Sequence, residues 1–430
     1  MAKGKKKLEI ARRAWPLMKD YFVKARQAKR EKRLVGWTFG IVPLELLHAL
    51  GVVPLSTESF SSLLSSKDQI TQYLDIATEM GFPQDACPVH LATIGYLFSG
   101  KEVMIPKPDF ILGTSMVCDT AAKSFQVILN HLGVPSYFLD TPLNTAGDEE
   151  DQSPSEEALL YYESQLKEFI SFIEGLTKRP IEDERFKKTF VLATRATYLW
   201  EKINQLRRSI PCPMGVLDEM SAMYPLIQLR GTEEAVGFFQ ILLAEVRQRV
   251  EKRQGLIEEE RYRLLWLGPS PGYDSAIFNY FEEFGAVLVK TDFDQEHMVK
   301  GLDPDDPIAT LAKGMIMNPF NGSISRQISL ARRLIEDYRV DGIVTYSSLG
   351  CQVYGGKYLA LIESVKKEFG IPFLLLEGNI MDFRGYQGEE TRRKIRDFIK
   401  ILEIRTGNLQ RINQGYGDRC SSRIIRPGVL

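Results

Sequence analysis

Two stretches of this chain, far apart in position, repeat one pattern. Residues 107–140 read KPDFILGTSMVC, then a helical segment, then HLGVPSYFLD; residues 339–378 read RVDGIVTYSSLGC, then a helical segment, then EFGIPFLLLEG. Each opens on an aspartate, enters a short apolar strand, turns, and meets a cysteine where the next helix begins. Asp109 to Cys118 spans nine positions and Asp341 to Cys351 spans ten. A chain built this way is constrained to two α/β lobes of one kind. Ligands of open parallel sheets bind at the carboxyl ends of the strands, so the repeat sets a thiol at the matching edge of each lobe. A duplication that merely keeps a small buried residue there leaves the same trace.

The remaining strand signals agree with this architecture. Short apolar runs fall at Arg33–Phe39, Gly51–Ser56, Pro108–Thr114 and Pro135–Asp140, and again at Tyr262–Leu267, Ala286–Lys290, Gly342–Tyr346 and Pro372–Leu376. Helical stretches separate them, as in βαβ units with parallel sheets. Residues 141–157 are acidic and rich in turn formers, and read as a linker. From 156 to 258 the period is helical, with Tyr162, Leu166, Phe169 and Ile173 on one face and Thr232 placed as an N-cap. The expected fold class is therefore α/β, two Rossmann-like parallel-sheet lobes plus a helical domain. Its divisions are a basic N-terminal helix at 1–33, a first lobe at 34–150, helices at 151–258, and a second lobe with a C-terminal helix and tail at 259–430.

With 430 residues, 55 Lys and Arg against 56 Asp and Glu, and 44% hydrophobic residues, the chain has the composition of folded globular proteins. The even balance conceals 13 Lys and Arg within residues 1–33. Without a second basic block or a recognition motif, this arm argues for a solvated helix that docks on a partner subunit, not for nucleic acid or a membrane surface. No apolar run reaches 18 residues and the start lacks an apolar signal core, so the expected location is cytoplasmic.

Five sparse cysteines show no disulfide-framework spacing, which in a reducing compartment leaves free thiols or metal ligands. Cys87 lies in GFPQDACPVH, where Pro88 suits a first helical turn and Asp85 suits its cap. Taken singly, Cys87, Cys118 and Cys351 read as small core residues at least as well as ligands. Taken together, each follows a turn and precedes a helix start, where the positive helix end lowers a thiol pKa and favours ligation. No CxxC pair or matched histidines indicate zinc, and ferredoxin-type spacing is absent. Three thiolates on a cluster leave one corner open for substrate. Cys212 and Cys420 read as non-ligands. His90 is one turn beyond Cys87, and reads as a surface or core histidine or as a site residue. LGPSPG at 267–272 reads as a tight turn or a phosphate cradle. No P-loop, GxSxG, HExxH or zinc-deaminase motif occurs.

The chain resembles the family of benzoyl-CoA reductase and 2-hydroxyacyl-CoA dehydratase subunits from about 34 to 400, and within it the longer, benzoyl-CoA reductase B-type subunit. The resemblance is carried by DACPVH at Cys87, PDFILGTSMVCDTAAKSF at Cys118, RGTEEAVGFFQILLAEVRQRVE, DPDDPIATLA, DGIVTYSSLGC at Cys351 and LEGNIMDFRGYQGEETRRKIRDF. It implies one [4Fe-4S] cluster held by Cys87, Cys118 and Cys351, and a paralogous sister subunit with a second cluster. It also implies a separate ATP-hydrolysing iron–sulfur activator and an acyl-CoA substrate. In dehydratase relatives a hydroxyl near the first strand end approaches the open iron, a place Thr38 takes here. The family often has Ser where this chain has Gly350, and an acidic residue where it has Asn379.

Three functions follow as expectations: ring reduction of an aromatic acyl-CoA, or in its place dehydration of a 2-hydroxyacyl-CoA, through one-electron steps; a non-catalytic iron–sulfur electron-transfer protein; and a metal-free α/β binding protein. Iron content separates the last from the others, and acyl-CoA binding separates the first two.

Overall fold

Apolar runs without alternation, such as LLWL and AVLV, suit strands covered on both faces. A computed structural model, describing residues 4–101, 104–116, 118–144, 153–355 and 357–421, places a strand at each of the eight runs. In chain order the first lobe contains α1 (Ala14–Arg30), β1 (Val35–Thr38), β2 (Val53–Ser56), α2 (Thr57–Ser66), α3 (Pro88–Phe98), β3 (Phe110–Thr114), α4 (Asp119–Leu132) and β4 (Ser136–Leu139). Helices α5 (Glu156–Thr177), α6 (Asp183–Arg207), α7 (Val216–Gln228) and α8 (Glu233–Glu251) follow. The second lobe contains β5 (Tyr262–Leu267), β6 (Ala286–Thr291), α9 (Ile324–Tyr338), β7 (Gly342–Ser348), α10 (Lys357–Phe369), β8 (Phe373–Gly378) and α11 (Gly388–Ser421), with shorter helices between.

Both sheets are wholly parallel and share one topology, β2-β1-β3-β4 and β6-β5-β7-β8. The repeated aspartates show why the registers match. Asp109 Oδ2 accepts from the Val35 N–H at 2.8 Å, and the Asp109 N–H donates to the Val35 carbonyl at 2.8 Å. Asp341 Oδ2 accepts from the Arg263 N–H at 2.8 Å, and its own N–H donates to the Arg263 carbonyl at 2.7 Å. One carboxylate thus satisfies a strand-start donor in each lobe. The apolar run ends at Tyr346, but β7 continues to Ser348, because Ser347 and Ser348 pair with Glu377 and Gly378.

In each sheet the strand order reverses between its first and third strands, β1 and β3 or β5 and β7. The crevice beyond their carboxyl ends is the switch point where α/β sheets take ligands.

The expected stripe of α5 (Tyr162, Leu166, Phe169, Ile173) packs against Phe110 and Leu112 of the first sheet. Helices α6, α7 and α8 share a core around Trp200, Phe238 and Phe239, joined by Leu8 and Ile10. The basic arm is built into the chain: Phe22, Ala25 and Ala28 of α1 pack with Val35, Trp37 and Phe60. Residues 145–152 of the expected linker lie outside the described residues, and no side chain is described at Cys420. Among the described residues no helix is long and apolar enough to cross a membrane.

One fully buried ionic group joins the middle helices to the second sheet. Glu219 of α7 accepts from Arg207 Nη2 at 2.6 Å and from the Thr291 N–H at 3.2 Å, and pairs with Lys290. Lys290 also meets Asp294 at 2.7 Å.

Candidate functional site

Cys87 and Cys118 both occupy N-cap positions, of α3 and α4. Asp85 does not cap α3; Cys87 itself stands there, with Pro88 in the first turn. Cys118 Sγ accepts from the Ala121 N–H at 3.4 Å, so a sulfur takes the role usually filled by a serine or aspartate oxygen. Cys351 follows β7 through a turn in which its N–H donates to the Ser348 carbonyl at 3.2 Å.

Gly350 explains how the third thiol reaches the others. Its φ is +78°, and a Cβ added there would lie 2.6 Å from the Asp85 carbonyl oxygen and 3.0 Å from Ala86 backbone atoms. The loop that ends β7 therefore rests on the backbone just before Cys87, a fit that a serine at this position prevents. Gly350→Ala is expected to cost roughly 2 kcal/mol or more, since the left-handed backbone alone disfavours a side chain by 1–2 kcal/mol. The comparison of urea midpoints with the unsubstituted chain measures it.

The three thiols feel one another's charge, and Cys118 and Cys351 both pack against the same core of the second lobe. Sequence reasoning expects helix ends to lower the thiol pKa values. The structure reverses the sign: burial pushes Cys87 and Cys118 up to about 12, and nearby backbone N–H groups only partly offset it. Burial outweighs the helix end because a dry thiolate has lost its water. In metal-free protein these two thiols stay protonated until strongly alkaline pH. Their alkylation at pH 8 is expected to be at least about a hundredfold slower than that of an ordinary cysteine, rising roughly tenfold per pH unit. Mass mapping of iodoacetamide-labelled peptides checks both.

Thr38 ends β1, almost wholly buried, and its Oγ1 has no hydrogen-bond partner. His90, on the first turn of α3 and 4% exposed, sets Nε2 3.9 Å from Cys118 Sγ, while its Nδ1 is buried without a partner. Burial holds its imidazole below the ordinary range, partly offset by the Glu58 carboxylate.

Glu58 is the site residue that sequence reasoning misses. Its Oε1 accepts from the Gly40 N–H at 2.7 Å and its Oε2 from Ser56 Oγ at 3.0 Å, and its charge reaches both His90 and Cys118. The signal is faint, because an acidic residue in a first helical turn is ordinary.

LGPSPG is a turn: the Gly268 N–H donates to Asp292 Oδ1 at 2.8 Å and the Gly272 N–H to the Ile380 carbonyl at 2.7 Å. Asn379 Oδ1 accepts from the Met381 and Asp382 N–H groups, each at 3.3 Å. Cys212 is fully buried within that second-lobe core, its thiol donating to the Met214 carbonyl at 3.2 Å. Among the described residues no group of three or more His, Cys, Asp or Glu side chains is arranged to hold a metal ion.

Two parallel sheets of one topology, with Cys87 and Cys118 at helix N-caps of the first lobe, Cys351 beyond β7 of the second and a buried histidine 3.9 Å from Cys118 Sγ, define a duplicated α/β protein. The chain belongs to the family described as 2-hydroxyglutaryl-CoA dehydratase, D-component, which matches residues 40–402. It is 23% identical over 384 residues to the (R)-phenyllactyl-CoA dehydratase alpha subunit of Clostridium sporogenes, covering 88% of this chain and 92% of that one. It is 20% identical over 400 residues to the alpha subunit of lactoyl-CoA dehydratase from Anaerotignum propionicum, covering 88% and 93%. It is also 23% identical over 351 residues to the B component of benzoyl-CoA reductase from Thauera aromatica, covering 76% and 79%. The family's members are enzyme subunits, and this chain is one. Equal identity to a dehydratase and to a reductase leaves the two reactions unseparated by likeness.

Proposed function

We propose that this chain is the [4Fe-4S]-bearing subunit of a low-potential acyl-CoA enzyme, with Cys87, Cys118 and Cys351 as its cluster ligands. What supports this is the electrostatic influence of the three thiols on one another, two of them at helix N-caps of the first lobe and the third beyond β7 of the second. The cluster, when bound, supplies one-electron chemistry at an acyl-CoA.

The chain's own residues bind, orient and move protons. The surroundings keep water from Cys87, which is buried, and shield Cys118 and Cys351, which are half-buried, and the strand-end crevice orients the thioester. Thr38 Oγ1 offers an unpaired hydroxyl, and Glu58 a carboxylate, for holding a proton at a substrate oxygen. Two groups able to hold a proton at a departing oxygen, Thr38 Oγ1 at the end of β1 and Glu58 with its charge reaching Cys118, favour loss of a substrate hydroxyl, so dehydration of a 2-hydroxyacyl-CoA is the first reading. Ring reduction of an aromatic acyl-CoA is the second, carried by the likeness to the benzoyl-CoA reductase component. A paralogous sister subunit completes the enzyme, in keeping with the relatives named as alpha subunits. A separate ATP-hydrolysing iron–sulfur activator delivers the electrons in the cytoplasm.

Electron counting separates the readings. Dehydration is redox-neutral and needs only a catalytic amount of reductant, whereas reducing a ring to a diene takes two electrons per product. The purified anaerobic complex, given a 2-hydroxyacyl-CoA or an aromatic acyl-CoA with limiting reductant, is expected to turn over the former many times per electron. Product formed in strict proportion to reductant supports ring reduction instead. Protein without iron overturns both.

A further inference from the structure

Helix α3 carries two groups toward the same place. Its cap residue is Cys87, and its third residue, His90, sets Nε2 3.9 Å from Cys118 Sγ, at the outer reach of an N–H···S bond. The ring is buried in a helix whose neighbours Val89, Leu91 and Ile94 are core residues. An apolar side chain fills such a position without the cost of drying an imidazole, so its polarity calls for a use.

We propose that His90 is a positioning residue that donates its Nε2–H to Cys118 Sγ and thereby sets the reduction potential of the group those thiols hold. This rests on the cluster reading above and assigns a role within it. The tautomer follows from the other nitrogen. Nδ1 is buried with no partner, and an orphaned acceptor there is tolerated better than an orphaned N–H. The proton therefore belongs on Nε2, facing the sulfur. With the Ala121 N–H at 3.4 Å on the same atom, Cys118 Sγ takes one donor from each of two helix starts. Donors to a ligand sulfur stabilise the more negative, reduced state and raise the potential. Because α3 also supplies Cys87, the donor is fixed in register with a ligand.

The test uses the full chain, reconstituted anaerobically with iron and sulfide. His90→Leu is expected to keep its iron while its equilibrium for one-electron reduction falls about tenfold, which is about 59 mV for such a couple. An unchanged potential in an iron-loaded His90→Leu protein overturns the role of His90 and leaves the cluster reading standing. Wild type that takes up no iron overturns both. Should the variant lose its iron, the decision passes to wild type labelled with 15N-histidine. The reduced cluster is expected to show a nitrogen coupling and an exchangeable proton by pulsed electron paramagnetic resonance, and absence of both overturns the proposal. The other histidines are engaged elsewhere: His48 with the Gln228 carbonyl, His131 against Phe98 and His297 against Phe293.

Discussion

Serine in place of Cys118 or Cys351 is expected to lower the iron retained per chain by at least about tenfold, with activity falling in step. A neutral hydroxyl is a poor substitute for a thiolate on iron, and iron binding here must also displace thiol protons. Cys212→Ser sets the contrast. That thiol is fully buried and donates to the Met214 carbonyl at 3.2 Å, a bond a hydroxyl also makes. Its replacement is expected to leave iron content unchanged and to cost about 1 kcal/mol or less. Cys420→Ser, in the last turn of α11, serves as a second control. Iron analysis of the four variants decides the matter: if all behave alike, the thiols act through packing and the three-cysteine site fails.

The largest loss of stability is expected at Glu219. The carboxylate meets Arg207, Lys290 and the Thr291 N–H with no exposure to solvent. Glu219→Gln leaves two buried cations short of charge, with Asp294 alone beside Lys290. Breaking a buried pair costs roughly 3–5 kcal/mol, a large share of the 5–15 kcal/mol that holds typical proteins folded. Urea denaturation of the variant checks this. Adding Lys290→Met is expected to restore part of the loss, because the stranded charge is then gone.

The strands were legible because buried parallel strands are written as apolar runs without alternation, so Tyr262–Leu267, apolar but for Arg263, announces β5. The duplication was legible because Asp109 and Asp341 perform the same strand-start clamp, and a clamp needs a fixed offset from its strand. What escaped reading depends on neighbours far along the chain. The sign of the thiol pKa shifts follows from burial by both lobes, which no local window contains. Asp85 and Cys87 are two residues apart and both plausible caps; the sulfur holds the place. Gly350 reads as a departure from the family's serine until the Asp85 carbonyl is seen against it. Glu58 looks like any acidic first-turn residue until the fold brings its charge to Cys118.

The meeting of the β7 loop with the backbone before Cys87 has a mechanical meaning. A group bound by both Cys87 and Cys351 is a cross-link between points more than 260 residues apart in the chain. Pinning ends so distant removes freedom mainly from the unfolded chain, an effect worth on the order of 5 kcal/mol for long loops in the chain-entropy account. Loading would then work as a rivet: the lobes cannot spread without tearing a ligand away, and damage to the bound group, by oxygen for instance, would be felt as loosening of the whole molecule.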